Sequence, residues 1–244
     1  MSSAPDLTGR IIRHERTLVA GSVLALAALG WWYVATGAGM SMSARMTMRV
    51  PSLGALVLMW WLMMAAMMLP SAAPAILLYA RIRQSRRHER TVAPSWVFLG
   101  GYLAIWLLFS IAAAVLQSRL TGPAMQLDGR LARGELLIAA GLYQVSPIKS
   151  ACLRQCRSPA QFLSRHWRPG TYGALLLGLR HGAYCLGCCW MLMALLFVGG
   201  VMNLLWIAGL TALVAAEKLL PHGKAIAWVS AAALILSGCG TLLL

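Results

Sequence analysis

Apolar runs of membrane-spanning length recur along this chain, with only short polar loops between them. A helix needs about 20 consecutive apolar residues to cross a bilayer. Because lipid offers no hydrogen-bond partners to the peptide backbone, such runs fold as helices. Hydrophobic residues make up 60% of the chain and charged residues only 11%, which excludes a soluble enzyme domain. We therefore expect an all-α, polytopic membrane helix bundle of about seven transmembrane helices.

The predicted bundle is a single transmembrane domain, residues 17–244, preceded by a basic cytoplasmic tail, residues 1–16. Its spans are predicted at residues 17–38, 53–80, 95–118, 135–148, twice within 171–220, and at about 224–243. A tight turn near Gly199-Gly200 separates the two spans of the long run. The fourth span is short and polar, so we expect a broken helix there. The first run is longer than the core of a signal peptide, which favours an uncleaved helix.

Basic loops explain the net charge of +15. Over seven spans, 15 Lys and Arg residues fall on one side, 5 fall on the other, and Arg180 lies within a span. This asymmetry predicts that the N-terminus is inside and the C-terminus outside. Short basic loops of this kind contact anionic lipid head groups, and we expect no nucleic-acid partner.

One helical face of the fifth predicted span carries three of the six cysteines. Because successive helix residues are about 100° apart, Cys188 and Cys189 lie about 60° and 40° to either side of Cys185. His181 precedes Cys185 by four residues and shares the face. Soft sulfur ligands suit Cu(I), and Zn(II) less well. The alternative is that these cysteines are small apolar residues that pack at a helix interface.

Methionines are concentrated in the second span and in the loop before it. Met59, Met63 and Met67 form a stripe at four-residue spacing, which Met64 and Met68 widen. Thioethers bind Cu(I) without losing a proton, so ligand roles are one interpretation, and ordinary packing is the other. The loop 39–52 is predicted to capture metal outside the membrane, although its methionines also suit an interfacial segment. These loop residues are Met40, Met42, Met46 and Met48.

A second cysteine pair, Cys152 and Cys156, is spaced four residues apart, so both sulfurs share a helical face. Two thiolates are enough for near-linear Cu(I), whereas Zn(II) requires two further ligands. We place this pair at the inner face of the membrane, apart from Cys185. The polar residues Arg180, Asn203 and Glu217 are expected to be structural. Glu217 is the expected partner of Arg180, with neutralisation by the adjacent Lys218 as the alternative.

Five motifs between residues 55 and 221 resemble a bacterial family of predicted metal-binding integral membrane proteins. The motifs are Leu62-Met-Met-Ala-Ala-Met-Met-Leu-Pro-Ser71, Tyr143-Gln-x-Ser-Pro-x-Lys149 with Cys152-Leu-x-x-Cys156-Arg-Ser-Pro159, Cys185-x-Gly-Cys-Cys-Trp190, Gly200-x-Met-Asn203 and Glu217-Lys218. A member of that family is linked to copper supply to a tyrosinase-like oxidase. The resemblance implies a copper chaperone or transporter in the bacterial cytoplasmic (inner) membrane. It assigns metal binding to Cys152, Cys156, Cys185, Cys188, Cys189, Met63, Met64, Met67 and Met68.

Three functions remain open from the sequence. The first is Cu(I) handling, with a copper-dependent oxidase or a soluble metal chaperone as partner. The second is a membrane thiol-disulfide oxidoreductase, which the strain of a vicinal Cys188-Cys189 disulfide disfavours. The third is a scaffold subunit with packing cysteines. The sequence contains no phosphate-binding loop, hydrolase triad pattern or zinc-protease motif, so we expect no enzymatic activity.

Overall fold

The computed structural model describes residues 20–21, 24–25, 27–32, 36, 52–85, 93–120, 127 and 129–243. Within these residues the fold is all-α, as predicted, and no strand forms. The helices are α1 (Leu53–Ser85), α2 (Ser95–Leu120), α3 (Arg130–Gln144), α4 (Pro147–Arg157), α5 (Pro159–His166), α6 (Gly170–Ala194), α7 (Leu196–Gly199), α8 (Leu204–Leu219) and α9 (Gly223–Leu243). The predicted tail 1–16, half of the span 17–38, and the methionine loop except Ser52 lie outside the described residues.

Four segments of the described chain are long and apolar enough to cross a membrane. They are Leu53–Arg83, Ser95–Arg119, Gly170–Gly199 and Gly223–Leu243. A fifth crossing results if α3 and α4, which meet at 60°, count as one broken span. Helix α8 has 16 residues, fewer than the roughly 20 that a straight crossing needs. The described chain thus has four or five candidate spans, and the count of seven with its orientation stays a prediction.

Helices α1 and α2 pack through aromatic side chains. Trp60 and Trp106 are fully buried, whereas Trp96 at the start of α2 is exposed. The indole Nε1 of Trp60 donates to Gln117 Oε1, and that of Trp61 donates to the carbonyl of Leu103 at 3.0 Å. Burying these N–H groups without an acceptor would be costly, so the bonds fix the relative position of the two helices.

Small residues let α2 and α6 approach closely. A Cβ added at Gly178 would collide with the carbonyl of Phe98, and one added at Gly101 would come within 2.5 Å of the carbonyl of Leu175. Helix pairs in membranes commonly use small residues in this way because close backbones gain dispersion contacts. The close approach brings Tyr102 of α2 against the cysteine face of α6.

The predicted break in the fourth span is confirmed and lies at Val145-Ser146, between α3 and α4. Ser146 is the N-cap of α4, where its Oγ accepts from the backbone N–H of Lys149 at 3.1 Å. Pro147 follows at the first helical position, where its missing N–H costs nothing. Helix α4 consequently turns out of line with α3 and packs along α6.

The predicted turn near Gly199-Gly200 is also confirmed. Gly200 follows α7 with φ 92°, a left-handed conformation that favours glycine. Asn203 is the N-cap of α8, where its side chain accepts from the backbone N–H of Trp206 at 3.2 Å. This supports its predicted structural role. Helix α8 then runs to Glu217 and Lys218, which are both buried.

Candidate metal centre

The three cysteines of α6 are buried together in the core, each 1% exposed. The Sγ of Cys188 donates to the carbonyl of Cys185 at 3.0 Å, and the Sγ of Cys189 donates to the same carbonyl at 2.9 Å. Both thiols therefore point back along their own helix. The predicted shared face is present, but in this state two of its sulfurs are engaged with the backbone.

Helix α4 brings a further cysteine into the same group. The Cys156 thiol lies near the thiols of Cys185 and Cys188. Cys152, one turn earlier, lies beside Gly187, where an added Cβ would come 2.8 Å from its Sγ. The sequence placed Cys152 and Cys156 in a separate group at the inner face. The structure joins them to the α6 cysteines because the break before α4 turns that helix against α6.

The α1 methionines line the buried side of that helix. Met68 is in contact with the cluster, with its Sδ 3.9 Å from the Sγ of Cys189. Met63, Met64 and Met67 are also fully buried within the hydrophobic core. Packing in the core is enough to explain why these methionines are buried, and a ligand role for them stays a prediction. We call Cys152, Cys156, Cys185, Cys188, Cys189 and Met68 the sulfur cluster.

His181 lies at the edge of the sulfur cluster and is 2% exposed. Its ring packs against those of Phe98, Tyr102 and Phe162, with centroid distances of 5.9, 5.7 and 5.2 Å. In the described part of the chain its Nδ1 has no hydrogen-bond partner. Buried polar atoms are nearly always paired, so this nitrogen is exceptional, and a metal-ligand role for His181 stays a prediction.

Lys218 reaches the sulfur cluster from α8. Its Nζ lies 3.1 Å from Cys185 Sγ, 3.2 Å from Ser71 Oγ and 4.0 Å from Met68 Sδ. The hydroxyl of Tyr102 lies 3.2 Å from the same Cys185 sulfur. The prediction that Lys218 neutralises Glu217 is wrong, because adjacent helix residues point about 100° apart.

Glu217 faces the other way, towards the broken span. Its carboxylate pairs with Lys149 at 2.6 Å and accepts from Gln144 Nε2 at 2.7 Å. Lys149 also donates to Gln144 Oε1, and Gln144 donates to Ser230 Oγ at 2.6 Å. The predicted pairing of Glu217 with Arg180 is therefore wrong. Lys149 reaches the carboxylate because Ser146 and Pro147 start α4 with this side chain directed at α8.

The side chains of the sulfur cluster are not arranged as a metal-ligand set in this structure. Among the residues that the structure describes, no three His, Cys, Asp or Glu side chains surround a common point as metal ligands. The physical reason is visible at Cys188 and Cys189, whose thiols bond to a carbonyl. The methionines at 40, 42, 46 and 48 lie outside the described residues.

A comparison with known protein families agrees with this chemistry. The sequence profile of the family described as PpoB2, copper chaperone, matches residues 57–241. The chain belongs to this copper chaperone family. The resemblance to a copper-supply family that its motifs indicated is therefore confirmed. No curated protein and no solved structure matches the chain.

Several residues at the sulfur cluster were not singled out as site residues from the sequence. Tyr102 and Ser71 contact Cys185 and Lys218 respectively. Gln144 and Lys149 hold Glu217. The available signal was that Ser71, Gln144, Lys149 and Lys218 all occur in the family motifs without an assigned role.

Proposed function

We propose that this protein is an integral membrane copper chaperone that binds Cu(I) in the sulfur cluster and supplies it to a copper-dependent enzyme. The observation that carries the proposal is that Cys156 of α4 lies near Cys185 and Cys188 of α6, where the two helices pack together. Cys156 lies on a different helix from Cys185 and Cys188 and precedes them by 29 and 32 positions in the sequence. Packing alone gives no reason for the partly buried cysteines of α4 to lie beside the buried cysteines of α6, whereas soft-metal binding does.

The ligand chemistry favours Cu(I) over Zn(II). Two thiolates hold Cu(I) in near-linear geometry, and the Met68 thioether adds a soft neutral donor. Structural zinc prefers four ligands in a closed tetrahedron. When Cys188 and Cys189 rotate, they exchange a weak thiol hydrogen bond for a metal bond. This makes loading and release small side-chain movements in a preformed helix interface, with no catalytic group required.

Copper is proposed to move inward from the outer face. Thioethers in the loop 39–52 capture it, and the thiolates of the sulfur cluster hold it more strongly because they add charge to softness. Under this proposal the chain has seven spans in a bacterial cytoplasmic membrane, with the N-terminus inside. A copper-dependent oxidase or a soluble metal chaperone then receives the ion. Outward release would run against this increase in ligand strength.

Metal analysis after reductive purification tests the binding proposal. Wild-type protein is expected to retain copper, and replacing Cys185, Cys188 and Cys189 together by Ser is expected to remove most of it. Cys239→Ser is the matched control because Cys239 is exposed on α9 and lies outside the cluster. Equal copper in the triple variant and the control would reduce the α6 cysteines to packing residues. Thiol titration with and without oxidant tests the oxidoreductase alternative in the same samples.

Copper limitation tests the direction. Replacing Met40, Met42, Met46 and Met48 by Ser is expected to lower cell copper and cuproenzyme activity only when copper is scarce. Normal activity at every copper level would show that the loop is not a capture site. Copper accumulation after deletion of the whole protein would indicate outward transport instead.

A further inference from the structure

Lys218 is a buried cation whose counter-charge is not a carboxylate. Its side chain is 6% exposed, and its Nζ ends among Cys185 Sγ, Ser71 Oγ and Met68 Sδ. The neighbouring carboxylate of Glu217 is already paired with Lys149. Within the described ranges, the groups in contact with this ammonium are therefore a thiol, a hydroxyl and a thioether, and the thiols of Cys156, Cys188 and Cys189 lie near enough to act on its charge.

A buried ammonium without an anion costs several kcal/mol, so its placement needs a compensating negative group. Cys185 is the group in contact that can supply one, since cysteine binds a metal as the thiolate. Tyr102 adds to this arrangement because its hydroxyl lies 3.2 Å from the same sulfur. Ser71 holds the ammonium in place at 3.2 Å. The site is thus built to keep one positive charge beside the ligand sulfur.

We infer that Lys218 is a positioning residue that makes the sulfur cluster selective for a monovalent soft cation. The inference rests on the proposed copper function and deepens it. One ammonium and one Cu(I) are balanced by two thiolates, which leaves no net charge in the buried site. The same two thiolates with Zn(II) leave one uncompensated positive charge. Because buried net charge is costly, Lys218 favours Cu(I) with two thiolates and opposes divalent ions.

Lys218→Met tests this because it removes the charge and keeps an apolar chain of similar length. Cu(I) held by two thiolates would then carry one negative charge, whereas Zn(II) held by two thiolates would be neutral. We expect the affinity for Cu(I) to fall and that for Zn(II) to rise. The ratio of the two affinities should change by at least about tenfold. General damage to the site would weaken both metals together.

The measurement is competition of purified, reduced protein against chelators of known Cu(I) and Zn(II) affinity. Lys218→Arg keeps the charge and is expected to retain the wild-type ratio within about threefold, a difference of about 0.7 kcal/mol. Circular dichroism checks the fold of each variant. If Lys218→Met does not fold, Lys218→Gln takes its place, since its amide keeps a hydrogen-bonding end without the charge.

Each result distinguishes this inference from the proposed function. Wild-type protein that binds no copper would refute the proposed function itself. Wild-type protein that binds copper, together with an unchanged metal ratio in the uncharged variant, would overturn only the role of Lys218. Equal losses for Cu(I) and Zn(II) would also overturn it, because they indicate structural support without charge selection. An altered ratio that Lys218→Arg restores is the expected outcome.

Discussion

Replacing Lys149 by Met is expected to destabilise the fold by about 3 kcal/mol. The substitution leaves the carboxylate of Glu217 buried without its counter-charge, and breaking a buried pair in this way costs about 3–5 kcal/mol. Both side chains are at most 2% exposed, and their charged atoms are 2.6 Å apart. Gln144 still donates to the carboxylate at 2.7 Å, which places the expected cost at the lower end of the range.

A double-mutant cycle isolates the pair. Glu217→Gln alone leaves the Lys149 ammonium buried, so it is also expected to cost about 3 kcal/mol. The double variant removes both charges, and we expect it to cost about 1 kcal/mol, because an uncharged replacement of a buried pair is often close to neutral. The two single costs minus the double cost give a predicted coupling energy of about 5 kcal/mol, above the roughly 0.5–3 kcal/mol that is usual for contacting residues.

Reversible unfolding in mixed detergent micelles, followed by circular dichroism, measures these free energies. Lys224→Met is the matched control, since Lys224 is exposed at the start of α9, and is expected to change stability by no more than about 0.5 kcal/mol. The reasoning is refuted if Lys149→Met costs no more than this control, or if the two single costs add in the double variant. Copper retention should also fall in Lys149→Met, because this pair fixes α4 and with it Cys156.

Three further predictions concern helix packing, capping and topology. Gly178→Ala should cost roughly 1–3 kcal/mol of stability because the added Cβ meets the carbonyl of Phe98. Gly100→Ala is the control, since Gly100 has open space around it, and should be neutral or stabilising by up to about 1 kcal/mol. Thermal unfolding compares the stability of the two variants. Asn203→Ala removes the N-cap bond of α8 and should cost about 1 kcal/mol in the same assay. Reporter fusions in the segment 86–94 after α1 and at residues 167–169 between α5 and α6 should report an inside location, and an outside location would overturn the charge-based orientation.

Hydropathy and local backbone chemistry predicted most of the helical architecture. The break before α4 followed from Ser146 and Pro147, and the turn before α8 from adjacent glycines. These features depend only on residues that are adjacent in the chain, so they can be predicted from a single sequence. The length of α8 could not be predicted from the sequence, because the turn is the only helix boundary visible in the apolar run that contains α8.

Which residues meet at the site depends on tertiary contacts, and the helical periodicity of the sequence does not reveal these contacts. The sequence identified the cysteine face of α6 correctly, but it placed Cys156 elsewhere, because the direction of α4 after the break is set by packing on α6. It also mispaired Glu217 and Lys218. Their opposite directions follow from helical geometry, yet their partners, Lys149 and Cys185, lie 68 and 33 positions away along the chain.

X-ray absorption at the copper edge tests the central claim most directly. Reduced protein that carries one Cu(I) is expected to show sulfur as the main ligand, with the same spectrum in the Cys239→Ser control. Cys156→Ser should alter the sulfur shell or lose the copper, because Cys156 belongs to the same cluster as Cys185 and Cys188. A shell of nitrogen or oxygen ligands, or an unchanged sulfur shell when Cys156 and Cys185 are both replaced by Ser, would contradict the account.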